Sequence, residues 1–305
     1  MGYTIPMLAV PKARKVKSLA SSNGTDSLFT KVVIGDSRTM NEVRDQSVHL
    51  IVTSPPYFNA KTYSGDFSGR DLGNISDYAL WKSEIQKVWK ECLRVLQPGR
   101  KMFINIMNLP LKGEGVNSFR TLNIVGHTID LCEELGFIFK REIIWHKTNG
   151  VRGHFGTYPY PGGIVLNNMH EQILEFQTPG GNGSKYAHLT AKIKEESKIT
   201  KEFWLSLKNS DVWLMKPYKS GTREHLAPFP MELPLRFIKA YSYVSETVLD
   251  PFAGMGTTAS AAFQEKRNSI LYEVNESFLP LIRQTINQSL FTTPRVEVIK
   301  QKSAV

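Results

Sequence analysis

An α/β fold, with a mainly parallel sheet covered by helices on both faces, is what this sequence predicts. Two observations carry that expectation. Strand-like and helix-like segments alternate almost throughout the 305 residues, and the strand-like runs are β-branched and nearly continuously apolar, as in strands buried on both faces. Residues 1–28 come first, weakly patterned, with Lys12, Arg14, Lys15 and Lys17 ahead of "SLASSNGTDS". They read as a basic arm, either solvated or touching phosphates. "KVVIGDS" is the first strand, ending in Gly35-Asp36, and "SVHLIVTS" the second. A helix is expected from Ser76, as N-cap, through Val95, because Trp81, Ile85, Val88, Cys92 and Leu96 share one face; Pro98-Gly99 is expected to end it.

"KMFINIM" then reads as a buried strand, "NIVGHTIDLCEELGF" as a helix closed by Gly136, and "KREIIWHK" as another strand. "HEQILEFQ" is its partner across a Gly- and Pro-rich loop. From Thr178 the chain turns polar and lysine-rich without a core period. After "DVWLMKPY" the alternation resumes: helix "MELPLRFIKAYS", strand "ETVLDPF", helix "TTASAAFQEK", strand "SILYEV", helix "NESFLPLIRQTINQSL". Residues 29–146 and 213–295 therefore read as two halves of one sheet domain, 147–212 as insertions that include a sheet strand near 170–177, and 296–305 as a tail.

Composition narrows the function. Hydrophobic residues at 41% and charged residues at 22% are ordinary for a soluble globular chain. The excess of 38 basic over 28 acidic residues gives +10, which suits an anionic partner such as nucleic acid, or simply a basic surface. Cys92 and Cys132 lie in helix-like segments without ligand neighbours, so they read as small core residues, with no disulfide or metal site. That usage suits a reducing cytoplasm. No run is long enough to span a bilayer, and the N-terminus lacks a signal-peptide core.

Two local patterns carry chemistry. In "IVTSPPYFN" an apolar strand stops at Pro55-Pro56, which cannot continue a central strand, and Tyr57 follows. A strand-ending turn alone would look the same. In "VLDPFAGMGTTASAA" a strand passes into a helix through Gly254 and Gly256, which permit a tight turn and close approach of a ligand to unpaired helix N–H groups. The lysine of a phosphate-binding loop is absent, and so is the full GxGxxG spacing. Glu273, ending the next strand, is suitably placed to accept hydrogen bonds from ribose hydroxyls. The pair of features favours a nucleoside-containing cofactor.

Together "TSPPY" and "DPFAGMGTT" resemble the S-adenosylmethionine-dependent DNA methyltransferases that modify exocyclic amino groups. The tetrad precedes the glycine motif, an order similar to the β group of that family. The resemblance, over about residues 31 to 290, implies a circularly permuted Rossmann-like class I methyltransferase fold with an inserted target-recognition region. It implies a catalytic turn Ser54, Pro55, Pro56 and Tyr57, with Phe58 in the same pocket. It places Asp250, Pro251, Phe252, Ala253, Gly254, Gly256, Thr257 and Thr258 around S-adenosylmethionine, with Glu273 on the ribose. Phe229 and Pro230 fall near the methionine part, Asp36 near the adenine amino group, and His225 is a weaker candidate.

The chemistry fits those residue types. An exocyclic amine is a poor nucleophile, so acceptors such as the Ser54 hydroxyl and Pro55 carbonyl must aim it. The base has to leave the duplex, and Tyr57 would stack on it. In the family that the chain resembles, Ser at the head of the tetrad tends to accompany cytosine N4 methylation and Asp or Asn adenine N6. The resemblance therefore favours cytosine N4, with adenine N6 as the alternative. A hydroxyl can accept from the amine and donate to ring N3, whereas a carboxylate cannot donate. C5 methylation needs a cysteine nucleophile, and neither cysteine stands in a Pro-Cys context. Lys61, Tyr63 and Arg70 in a Gly- and Ser-rich loop, Arg152 and His154 in a second, and the lysines of 185–201 are the expected DNA contacts. Double-stranded DNA is thus the expected partner, with a cognate restriction endonuclease and a monomer or homodimer also in view. RNA or protein methylation, and a non-catalytic DNA-binding module, are the rival readings.

Overall fold

The computed structural model describes residues 28–58, 70–112, 119–148, 161, 166, 168–181, 186–218, 229–287 and 294–301. In chain order these hold β1 Phe29–Ile34, β2 Val48–Thr53, α1 Tyr78–Val95, β3 Leu96–Ile106, β4 Leu109–Lys112, β5 Phe119–Leu122, α2 Ile124–Leu135, β6 Ile138–Lys147 and β7 His170–Gln177. There follow α3 Ala191–Glu196, α4 Lys201–Lys208, β8 Val212–Met215, α5 Glu232–Tyr241, β9 Thr247–Asp250, α6 Thr257–Gln264, β10 Asn268–Glu273, α7 Leu279–Asn287 and β11 Arg295–Lys300. Nine strands make one sheet in the order β11-β1-β10-β9-β2-β3-β7-β6-β8, and β4 pairs with β5 alone. From β11 to β3 all neighbours are parallel; β7 runs antiparallel to both β3 and β6.

The period of two along the strands sorts side chains onto the two faces of the sheet. Val33, Ile51, Met102, Ile104, Phe176 and Leu249 face α1 and α2, meeting Trp81, Ile85, Val88, Ile124 and Cys132. Their neighbours Leu50, Val52, Phe103, Ile173 and Val248 face α5 and α6, where Phe103 stacks on Phe237 at 3.9 Å. Val32, Ile34 and Leu271 meet Ala259, Ile282 and Ile286 of α6 and α7. Helices thus cover both faces, as expected. Both cysteines are fully buried core residues, and burial pushes their thiols up.

Three expectations need correction, and one is filled in. The N-cap of α1 is Asp77, whose carboxylate accepts from Leu80 N at 2.6 Å, and Ser76 is exposed. Pro98-Gly99 does not end that helix. The chain is already extended at Leu96, and Pro98 and Gly99 lie inside β3, Gly99 at φ 74°, where the β2 register shifts. The polar stretch after Thr178 contains two short helices, α3 and α4, neither with a fully buried residue, which explains its missing core period. The expected tail at 296–305 is strand β11 through Lys300, paired in parallel with β1.

Strand direction also splits the insertion. Lys147 and His170 belong to the end where Ile106 lies, because His146 pairs with His170 and Ile106 with Gln172. β7 leaves the sheet at the opposite edge, where Gln177 pairs with Lys101 and Ile138, and β8 starts beside Ile144. The segment after β7 is tied there: Ser197 Oγ accepts from Val244 N at 2.9 Å, and His188 meets Glu246 at 2.9 Å. The lysines of α3, expected as phosphate contacts, therefore sit at the edge remote from the strand C-termini.

Candidate active site

A cleft of about 550 Å³ opens at the C-terminal edge of the parallel strands, where open α/β sheets gather ligands. Its wall takes Asp36 and Ser37 after β1, Ser54 to Phe58 after β2, Met107 after β3, Pro251 to Met255 after β9, and Tyr272 to Asn275 at the end of β10. One direction of strand therefore delivers both sequence motifs to one cavity.

The two motifs are joined directly. Thr53 Oγ1 donates to Asp250 Oδ1 at 2.7 Å, although 197 residues separate them. Asp250 also accepts from Thr258 Oγ1 at 2.6 Å and Phe252 N at 3.0 Å, and is 1% exposed. Burial raises its carboxyl above the usual carboxylate range, against the pull of those donors. Asp250 and Thr258 thus stand behind the cofactor wall that was expected of them, consumed in tying it together. Gly256 likewise does not line the cleft. At φ 84° it caps α6, and a Cβ there would meet Ile282 at 3.2 Å. Pro230 lies outside the wall too, and its carbonyl accepts from Leu233 N at the start of α5. Phe229, Pro251, Phe252, Ala253, Gly254 and Thr257 do line the cleft.

Glu273 stands where expected, at the end of β10. Its carboxylate accepts from Gly254 N and Asn275 N, both at 2.9 Å. Burial pushes the carboxyl up to about 7, opposed by those two N–H groups. Each oxygen keeps a lone pair for a ligand hydroxyl. Gly254 takes φ 52°, and a Cβ there would meet nothing within 4 Å. Phe229, Phe252, Phe278 and Leu72 supply apolar wall. An acidic strand end, a glycine turn without a basic anchor and aromatic walls fit a nucleoside with a sulfonium side chain.

Asp36 lines the cleft, but its carboxylate is clasped by Arg38, whose Nε and Nη2 lie 2.8 and 2.5 Å from Oδ2. Arg38 in turn reaches Glu84. Gln301, just past β11, accepts from Asp36 N at 2.7 Å and donates to Thr39 O at 2.8 Å. The C-terminal strand thereby braces this corner of the cleft.

At the other end lies the Ser-Pro-Pro-Tyr turn. Phe58 anchors it, buried edge-on against Tyr78 at 5.0 Å. The Ser54 hydroxyl is 3.4 Å from Tyr57 OH and 3.5 Å from Asn105 Nδ2, the limit of hydrogen-bond reach. Tyr57 OH donates to Glu171 Oε2 at 2.8 Å, and Asn105 Nδ2 also donates to that carboxylate. Lys147 Nζ lies 2.5 Å from Glu171 Oε1. Asn105, Lys147 and Glu171 were missed in the sequence, where they read as ordinary strand positions. All three stand within two residues of a strand terminus, but other polar residues in the same strands hide them. Arg70 lines the cleft; Lys61, Tyr63, Arg152, His154 and His225 lie outside the described residues. None of the described helices is long and apolar enough to cross a membrane.

Comparison with known proteins converges on this cleft. The DNA methylase family profile, covering N6 and N4 enzymes, matches residues 48–284. The chain is 32% identical over 286 residues to type II methyltransferase M.MjaI of Methanocaldococcus jannaschii, across 84% of this chain and 90% of that one. It is 32% identical over 283 residues to type II methyltransferase M.MthZI of Methanothermobacter thermautotrophicus, across 85% and 77%. A Thermus thermophilus protein described as a DNA modification methylase, solved with S-adenosyl-L-methionine, superposes with TM-score 0.71 at 28% identity, covering 90% of this chain and 100% of that one. The cytosine-N4-specific PvuII DNA methyltransferase shares the fold, with TM-score 0.61 at 18% identity, covering 88% and 92%.

Proposed function

The chain belongs to the N6/N4 DNA methylase family, and from that premise we propose that it methylates the N4 amino group of a cytosine flipped out of duplex DNA. Its cofactor is S-adenosylmethionine, which when bound supplies a methyl group activated by its positive sulfur. Glu273 holds the ribose hydroxyls, Gly254 lets the backbone approach, and Phe252 and Phe229 exclude water from the cleft.

The observation that carries the reading is the Ser54 hydroxyl. It heads the turn, faces the same cleft as the glycine loop, and among the described residues has only long contacts, to Tyr57 and Asn105. A hydroxyl so placed accepts from the target amine and turns its own proton toward the neighbouring ring nitrogen. The Pro55 carbonyl accepts the second amine hydrogen. Together they aim the nitrogen lone pair at the methyl group, and positioning of this kind accounts for a large part of such a barrier. The Tyr57 ring stacks on the base. The amine loses its proton after transfer, so no strong base is required.

The type II names of the relatives support a restriction-modification setting, with a cognate endonuclease as partner. Residues 149–160 and 162–165, which join β6 to β7 in the chain, are our assignment for reading the DNA sequence. Incubation with labelled cofactor and duplex DNA, followed by nucleoside analysis, tests the proposal. We expect N4-methylcytosine; N6-methyladenine would move the target to adenine, and no methylated base would sink the enzyme reading. Ser54→Ala is expected to abolish transfer while keeping cofactor affinity.

A further inference from the structure

Strands β6 and β7 bring an ion pair to the catalytic turn that the reading above does not use. Lys147 ends β6, Glu171 starts β7, and the pair is closed at 2.5 Å. Both side chains line the cleft beside Ser54 and Tyr57. Glu171 is 7% exposed and takes Tyr57 OH, Asn105 Nδ2 and Lys147 Nζ. That carboxylate is saturated from three sides and has little left for a ligand. Lys147 is different. An ammonium carries three N–H bonds, one of them directed at Glu171, and its side chain is 24% exposed, lying over the Trp145 ring at 5.3 Å. A buried carboxylate of this kind fixes the direction of a flexible lysine.

We propose that Lys147, oriented by Glu171, reads the flipped base by donating a hydrogen bond to the ring carbonyl that cytosine carries and adenine lacks. The inference rests on the cytosine reading above. Geometry supports it through the chain of contacts that leads from the amine site. Ser54 Oγ is 3.4 Å from Tyr57 OH, and that hydroxyl is 2.8 Å from the carboxylate holding Lys147. In a pyrimidine the amine and the carbonyl flank one ring nitrogen. The group that holds the amine and the cation are linked through two intervening residues, Tyr57 and Glu171, on the wall of one cleft, which lets them address the two substituents of one ring. An adenine in the same place would present a C–H to the ammonium, leaving the N–H aimed at the base without an acceptor, which is costly. Lys147 would touch substrate, whereas Glu171 is a positioning residue.

A cycle over one protein change and one base change tests this. The base change replaces the target cytosine with a 2-aminopyridine C-nucleoside, which keeps the amine and ring nitrogen and lacks the carbonyl. The protein change is Lys147→Met, with cofactor affinity and melting temperature as controls for folding. Each change alone should lower kcat/KM by about 10- to 100-fold, the range for a hydrogen bond to a charged group, and both together should lower it no further. Glu171→Gln provides a second route if the methionine variant does not fold. It should raise KM for cytosine DNA more than it lowers kcat, and shrink the analogue's penalty. Penalties that multiply in the cycle, or an analogue penalty unchanged in Glu171→Gln, would overturn the inference. N4-methylcytosine as product with multiplying penalties overturns this inference alone, whereas N6-methyladenine as product overturns it together with the cytosine reading.

Discussion

At the scale of single residues, two carboxylates that flank the cleft work in opposite ways. Asp250 is a tether. Its oxygens are taken by Thr53, Thr258 and Phe252 N, and it does not line the cavity. An amide can satisfy the same partners, since Oδ1 still accepts from Thr53 and Phe252 while Thr258 rotates to accept from Nδ2. Asp250→Asn should therefore keep the melting temperature and cofactor affinity close to the parent, whereas Asp250→Ala strands three buried donors and should cost about 2–4 kcal/mol in denaturant unfolding. Loss of cofactor affinity in the asparagine variant, without loss of stability, would restore a direct ligand role. Glu273 lines the cleft, and its carboxyl sits near 7 because burial penalises its charge. That folded value lies above the ordinary one of 4.5, so the folded state keeps a proton that the unfolded chain releases, and stability falls as pH rises from about 4.5 to 7. In the ribose-binding role proposed for it, the hydroxyls would donate to the ionised form. Cofactor affinity should then rise with pH, by up to about tenfold per unit below 7, and level off above it. Calorimetric titration across that range reads it, with Glu273→Gln expected to flatten the curve.

Single elements show where cause lies between neighbouring residues. Helix α1 begins at Asp77, whose side chain takes Leu80 N, and not at Ser76. Asp77→Ala should destabilise the fold by about 1 kcal/mol and Ser76→Ala by a few tenths at most, measured by chemical unfolding; equal effects would place the cap elsewhere. The pattern of what could be read beforehand follows the same logic. Strands such as β2 and β9 were legible because burial on both faces leaves a continuous apolar run, and the turn at Pro55 and the loop at Gly254 because backbone conformation is written locally. Strand β11 was not, since its exposed edge position alternates half-buried and exposed residues around Glu297 and Lys300. Its role is nonetheless specific: Gln301 beyond it braces Asp36, and a Cβ on Gly35 would collide with Gln301 at 2.2 Å. Asn105, Lys147 and Glu171 were illegible for a different reason. Each is one polar residue among several in its strand, and only the order β3-β7-β6 brings them together.

Across the whole molecule, strand direction decides which charges share an edge with the cleft. The chain carries 38 basic against 28 acidic residues, and a cationic surface releases counterions when it meets a polyanion. Yet the sheet sorts that charge by edge. β7 is antiparallel, so the segment that follows it emerges away from the cleft, and α3 is held there through Ser197 and Val244. Two of its lysine contacts are internal as well, Lys192 to Glu196 at 3.9 Å and, just past the helix, Lys198 to Glu195 at 2.7 Å. Arg70, in contrast, lines the cleft. Affinity for duplex DNA should fall steeply with salt, by about a thousandfold from 50 to 200 mM if some six phosphates are contacted. Cofactor affinity should barely change over the same range. Replacing Lys192, Lys194 and Lys198 together by glutamine should leave the salt slope unchanged and the DNA affinity within about threefold, because their residual effect is a screened field over more than a Debye length. Arg70→Gln should flatten the slope by about one and weaken binding uniformly across sequences. Fluorescence anisotropy with a labelled duplex at several salt concentrations separates the two sites. A slope reduced by the triple lysine variant and untouched by Arg70→Gln would mean that DNA lies across the opposite edge of the sheet, away from the cleft that joins the serine turn to the glycine loop.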